Sequence, residues 1–458
     1  MPARTDFFGN PVTACSDDEV EGVDDFVGGM LAYETRAANV IAAAEAAPDC
    51  CLLQAYAGML WMLLEAPEGV ERARALLGRA EASASGATGR ERGSVAFLGA
   101  WVAGDIPECL NIAEEVLAAH PRDLLMVKMA HYHQFNRGDS PAMLRTMMQV
   151  LPHADDVPYV HGMAAFAYEQ CHLLDDAEAA ARRAIGMRRK EPWAQHGLAH
   201  VMLTQGRIDE GAAFLEGMRD TWAGLNSFMY THLWWHLALF YLSQGREAEA
   251  LAAYDDHCWA IDRNYSQDQI GAMSLLTRLE LAGIDAGGRW DDLAEHLVAR
   301  RRDVTQPFLS LQYLYGLARA GRPEADELMD AIREAATRAP GHSREAWCDV
   351  TLPAAEGLLA HARGDYATTL RGLGPALPRM VEVGGSHAQR DLFDQILVDA
   401  TLRSGRLAAA QQLLEQRRAC DPDGVPLNRQ LADVYARLGL PELAQRAAER
   451  VRRRVGRH

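Results

Sequence analysis

The chain has 458 residues, of which 46 are Lys or Arg and 63 are Asp or Glu, giving a formal net charge of −17. Apolar residues make up 49% and aromatics 7%, enough to bury a substantial core, which excludes wholesale disorder. The acidic balance argues against nucleic acid and against an anionic membrane as partners, because both call for a positive surface.

The opening stretch MPARTDFFGNPVTACSDDEV has no apolar secretory core and turns acidic at once, so no signal peptide is expected. The eight cysteines are scattered, apart from the adjacent Cys50 and Cys51, and form no CxxC. That usage points to reduced thiols and a cytoplasmic protein rather than a disulfide framework or a zinc ribbon. Asp18 to Ala47 reads as one long amphipathic helix, and residues 1–48 are taken as an N-terminal extension and capping helix. The most apolar stretch, Cys50 to Leu64, contains Gln54 and Gly58 and is too short to cross a bilayer, so it is expected as a buried helix.

From there the chain repeats. Gly104 and Gly138 are 34 residues apart, Gly206 lies two further steps on, and His172 occupies the step between them. Gly69 and Val70 straddle the step before Gly104, and Gly405 and Gly439 resume the spacing after a looser run through Gly245, Gly288, Gly321 and Gly364. Each tick is flanked by apolar segments of helical period, as in AQHGLAHVMLTQGRIDEGAAFLEGM. A glycine there supplies the left-handed turn joining two antiparallel helices. The 34-residue helix–turn–helix unit is the tetratricopeptide repeat. Small residues fall where helix A must approach its neighbour (Ala165, Ala199, Ala238, Gly357, Ala432) and where helix B opens (Ala177, Gly211, Ala250, Ala410, Ala444), while His131 breaks the rule. The expected fold is therefore all-α, a TPR-like α-solenoid of antiparallel helix pairs curved into a superhelix, with the repeat array over residues 49–440. The last helix carries Arg446, Arg450, Arg452, Arg453, Arg454 and Arg457, and residues 441–458 are read as a basic capping helix rather than a nucleic-acid arm. No Pro-, Gly- or Ser-rich linker divides the chain, so it is expected to form one continuous domain.

The register maps surfaces. Helix A residues expected on the concave wall are Tyr159, Gly162, Phe166 and Glu169 in one unit. The next unit contributes Trp193, His196, His200 and Leu203, and the following one His232, Trp235 and Leu239, with His236 just off that line. The pairs His196/His200 and His232/His236 have i, i+4 spacing, which puts their rings on one helix face about 5–6 Å apart at Cβ. That is the geometry of a two-histidine metal clamp, with Glu169, His131 or His133 as further candidates. HxxxH lacks the catalytic Glu of HExxH, however, and no Cys or Asp completes a ligand set. The expectation is therefore no metal and no cofactor, the four histidines bonding instead to Trp, Tyr and backbone; a His196/His200/His232/His236 metal site is the alternative. Of the tryptophans at helical spacing, Trp193 and Trp235 are the two expected to face the groove.

A second constellation begins at Gly384-Gly385-Ser386, a glycine turn leading to an N-cap serine. The first helical turn carries His387, Gln389, Arg390 and Asp391. Arg390 either binds a carboxylate or phosphate bidentately or pairs with Asp391 or Asp394 to hold the repeat on its neighbour. No GxSxG elbow, phosphate loop or GxGxxG follows a strand anywhere in the chain.

The blocks DLLMVKMAHYHQFNRGD, WAQHGLAHVMLTQGRIDEGAAFLE, HLWWHLALFYLSQGREAEALAAYDDH and GGSHAQRDLFDQILVDA, in this order, resemble the tetratricopeptide repeat protein 38 family. The resemblance runs through most of the chain; this sequence has His387 where that family often has Asn. It implies a closed, strongly curved repeat superhelix. Two functions follow from the groove. One is a scaffold holding a peptide, a protein segment or a small molecule against Tyr159, Glu169, Trp193, His196, His200, His232, Trp235 and His236, with His387, Gln389, Arg390 and Asp391 closing from the late repeats. The other is an enzyme within the superhelix, with His200 or His232 as general base and Glu169 or Arg390 orienting the substrate.

Overall fold

The computed structural model describes residues 4–456; Arg457 of the basic last helix lies outside them. Twenty-four α-helices account for most of the described chain, preceded by an antiparallel pair of two-residue strands, Arg4–Thr5 and Pro11–Val12. Successive helices form antiparallel pairs, which makes the protein an all-α, TPR-like repeat fold. Packing divides it into two compact units. Of the described residues, those up to 198 with 221–226 form the first, and residues 199–220 with those from 227 onward the second; the boundary falls inside the Pro192–Thr204 helix.

The local chemistry of the repeats is plain. Gly104, Gly138, Gly206, Gly245, Gly321, Gly364, Gly405 and Gly439 all have φ between 67° and 81°, and His172 takes the same left-handed conformation at φ 58°. Two ticks shift from the sequence expectation. The turn before the Pro67–Ser83 helix is made by Glu65 (φ 55°) while Gly69 lies inside the helix against the Trp61 carbonyl, and the turn near Gly288 is made by Gly283 (φ 87°). Aspartates cap the helices that follow: Asp105, Asp123, Asp139 and Asp365 each accept a backbone N–H three residues on. Inner helices such as Cys51–Met62, Pro158–Gln170 and Pro307–Arg319 are buried on nearly all sides, as expected for elements enclosed by neighbours.

In the first unit, the expected single helix from Asp18 to Ala47 is broken. The Asp17–Ala32 helix ends at Tyr33, whose φ is 55°, and a short 3₁₀ turn leads into the Asn39–Ala46 helix folded back on it. Gly29 permits the fold-back, since a Cβ there would lie 2.5 Å from the Ala37 backbone nitrogen. The strand pair is held by Arg90, which is buried, donates to the Pro11 carbonyl at 3.0 Å and pairs with Asp123 at 3.2 Å and Asp6 at 3.6 Å.

In the second unit, the first helices meet the last. Gly206 packs on the Cys420 carbonyl, Ser243 donates to Asp421 at 2.8 Å, and buried Arg454 pairs with Asp209 at 2.7 Å across 245 residues of sequence. The last helix thus spends its charge inside the unit: Arg450 donates to Asn428 at 2.6 Å and Arg453 pairs with Asp423 at 3.0 Å. All eight cysteines are free thiols. No helix among the described residues is long and apolar enough to cross a membrane.

Gly206 and Gly405 share one backbone conformation but not one environment, since a Cβ at Gly405 meets nothing within 4 Å. Urea denaturation should therefore show Gly405→Ala losing about 1 kcal/mol from left-handed strain alone, and Gly206→Ala losing at least ~1 kcal/mol more from the obstructed closure. Equal losses would mean that the Cys420 contact contributes nothing.

Candidate functional site

In the first unit, the expected wall residues are covered by the protein's own N-terminal segment. Tyr33 stacks on Trp193 with centroids 5.2 Å apart and planes at 25°; Phe166 lies 4.7 Å from Trp193, and His196 stacks on it at 4.5 Å. Lys128, which the register did not nominate, lies half-buried with Nζ 3.7 Å from the Tyr33 ring centroid and 5.6 Å from that of Trp193. Burial lowers the Lys128 ammonium to about 7, partly opposed by Glu191. Burial likewise raises the Glu191 carboxyl to about 8, against a hydrogen bond from the Ala194 N–H and the attraction of Lys128. Tyr159 is buried beneath the Arg188 guanidinium, 5.5 Å from its ring, and Glu169 is fully buried and accepts from Gln170. His131 bonds the Met143 carbonyl of its own repeat at 3.1 Å, and His133 stands edge-on to Trp101 of the preceding repeat at 4.6 Å.

In the second unit, three of the sequence-nominated histidines come together. His232 and His236 lie one turn apart on the Ser227–Gln244 helix, and His200 arrives from the Pro192–Thr204 helix, which carries His196 one turn earlier. The His200 and His236 rings are 4.6 Å apart and the His232 and His236 rings 4.8 Å. Trp235 stacks on His232 at 5.3 Å with planes only 6° apart. Burial, reinforced by His200, lowers His232 to about 3, so it is neutral at physiological pH. The Arg278 guanidinium lies 5.2 Å from the Trp235 centroid.

Arg278 in turn lines a partly open cavity of about 550 Å³ within the second unit. Leu203, Leu239, Leu242, Leu281 and Leu427 form apolar walls, and Asp391, Asp394, Arg417, Asp421 and Ser243 add polar groups. Arg278 donates to the Ala388 carbonyl at 2.6 Å and to Ser274, and no carboxylate pairs with it among the described residues. Burial lowers it to about 10.

The late glycine turn is a rigid device. A Cβ on Gly385 (φ 79°) would run into Phe308. Ser386 and Gln389 form a reciprocal capping box, with Gln389 N–H donating to Ser386 Oγ at 3.3 Å and Ser386 N–H to Gln389 Oε1 at 2.9 Å. Gln389 is thereby committed to the cap. Arg390 donates back to the Gly385 carbonyl and lies 3.2 Å from His387 Nδ1. The partner of Asp391 is Arg417, bidentate at 2.6 and 3.2 Å, a residue that sequence spacing did not suggest. Burial works to raise the Asp391 carboxyl, and Arg417 overrides it, holding Asp391 at about 2. Asp394, one turn on, opens onto the cavity and has no hydrogen-bond or ion-pair partner among the described residues. Its crowded surroundings, with the charge of Asp391, raise it to about 6.

Lys128 and Arg278 escaped the sequence reading because neither belongs to a motif, and the sequence offers Asp394 only as a partner for Arg390. The one signal of Lys128 and Arg278 is a charge inside an otherwise apolar stretch, as in LLMVKMAHY and MSLLTRLEL.

No family model matches the chain. Among solved structures it is similar to the human IFIT1 dimer with m7Gppp-AAAA, at 11% identity over 96% of this chain and 91% of that one, with a TM-score of 0.39. It is also similar to the APC/C hetero-tetramer Cut9–Hcn1, at 12% identity over 84% of this chain and 96% of that one, with a TM-score of 0.27.

Because Asp394 holds its proton more tightly folded than unfolded, it favours the folded state below its ordinary value of 3.8, and that contribution is lost as pH rises through about 6. Asp394→Asn should match wild type in thermal stability near pH 3.5. Near pH 7.5 it should exceed wild type by about 1 kcal/mol or less, after allowance for solvent in the cavity. A constant difference across this range would refute the assignment.

Proposed function

We propose that the chain is a binding scaffold of TPR-like helix pairs and that the cavity of the second unit holds its ligand, a small zwitterion or the end of a peptide. The observation that carries this reading is a pair of opposite charges on one cavity wall, each without an ionic partner of its own among the described residues. Arg278 offers a cation hydrogen-bonded only to neutral acceptors, and Asp394 a carboxylate that feels Arg417 and Arg390 without an ion pair to either. Arg278 contacts the first turn of the His387–Arg403 helix at Ala388, and Asp394 lies six residues further on, about 9 Å along the axis. A molecule with a carboxylate at one end and an ammonium at the other answers both groups, and the leucine walls suit an apolar body between them. The acidic balance of the chain supports a ligand of this kind over nucleic acid. The ordered sequence blocks support placing the chain in the tetratricopeptide repeat protein 38 family.

An enzymatic reading has one observation in its favour: the Asp394 carboxyl, raised to about 6 and open to the cavity, is poised for proton transfer near neutral pH. His232, lowered to about 3, is too weak a base for the role the spacing suggested.

Thermal-shift titration with a panel of free dipeptides should raise the Tm of the wild-type chain, and N-acetylated or C-amidated versions should do so weakly. Arg278→Gln and Asp394→Asn should each weaken binding of the best dipeptide, Arg278→Gln by about 10-fold or more because its buried charge is left unanswered, and Asp394→Asn by less because that carboxyl is exposed. No shift with any dipeptide, or equal shifts with the blocked forms, would dispose of the zwitterion reading. Turnover of a bound dipeptide that Asp394→Asn abolishes would favour the enzyme.

A further inference from the structure

We propose that His200, His232 and His236 form a binding site for a divalent transition metal ion, zinc by the chemistry of its donors. One ring nitrogen from each residue lies within 4.8 Å of those of the other two, and all three side chains are buried. In a tetrahedral zinc site with Zn–N bonds near 2.0–2.1 Å, ligand nitrogens stand about 3.4 Å apart. Small ring rotations therefore close the remaining gap without moving either helix. Position favours coordination. His232 and His236 project from one helix face one turn apart, and His200 meets them from a second helix, so two rigid elements fix the donors.

The donor set also narrows the ion. Three imidazoles with no thiolate and no carboxylate among these three donors disfavour calcium and magnesium, which take oxygen ligands, and suit a borderline ion such as Zn²⁺. Trp235 lies flat against His232, and Arg278, 5.2 Å from the Trp235 centroid, reaches the cavity. The metal would thus sit one side-chain layer from the proposed ligand cavity, a placement that follows from the histidine geometry and does not depend on what fills the cavity.

The test uses the full chain without a polyhistidine tag, stripped with EDTA, re-equilibrated with zinc sulfate and dialysed. Elemental analysis should return close to one zinc per wild-type chain, and the His232→Ala/His236→Ala double variant should retain less than about a fifth of that. Circular dichroism on the variant checks that it is still helical. A second measurement needs no variant. Wild-type protein loaded with Co²⁺ should develop the intense visible absorption of a four-coordinate site and lose it on addition of Zn²⁺. Retention of under about one-tenth zinc per wild-type chain, absence of the cobalt band, or equal zinc in the folded double variant would each overturn the proposal.

Discussion

The contact on which the second unit depends is the meeting of its first and last helices. A repeat array otherwise stabilises each pair only through its neighbours and leaves a groove open to solvent. Here the Gly206 turn lies against the Cys420 carbonyl, Ser243 holds Asp421, and Arg454 brings a buried guanidinium to Asp209. These contacts span more than 170 residues of sequence, so they form only after the intervening helices have packed. Their consequence is chemical as well as mechanical. Closure converts a groove into a cavity that withdraws Arg278 from water and lowers it, while Asp394, crowded by its surroundings and by the charge of Asp391, is raised.

Polar groups inside a helical repeat protein are costly unless they answer one another. The protein places such groups in layers. In the first unit, Arg90 satisfies two aspartates and a carbonyl and so binds the strand pair to the repeats. In the second, the His232 ring stacks on Trp235, Arg278 lies 5.2 Å from the Trp235 centroid, and Arg278 bonds the start of the His387–Arg403 helix. Asp391 completes this layer through Arg417. Asp394 stands outside these hydrogen-bonded arrangements and faces the cavity.

The legible part of this protein was its periodicity. The 34-residue ticks put left-handed turns at Gly104, Gly138, Gly206, Gly405 and Gly439, and even His172 obeys the position rather than its residue type. Ser386 was legible as a cap because capping is a local hydrogen bond between residues three apart. The histidine pairs were legible because i, i+4 spacing fixes one face of a helix. The break at Tyr33 was signalled only by glycines that reduce the helical pattern without abolishing it. Partners such as Arg417 for Asp391 or Lys128 for Tyr33 had no signal, because nothing in a local pattern says which distant helix will lie opposite.

The sequence by itself therefore determined the helix pairs, their turns and caps, and which helices carry histidine and tryptophan. These are properties of residues within a few positions of one another, set by backbone conformation and helical period. Only the tertiary structure decided that the N-terminal segment covers Trp193, that three histidine nitrogens converge, and that Arg278 and Asp394 share one cavity wall. Each of these depends on small rotations summed over many repeats, and on burial that shifts a proton affinity only once the last helix has closed on the first.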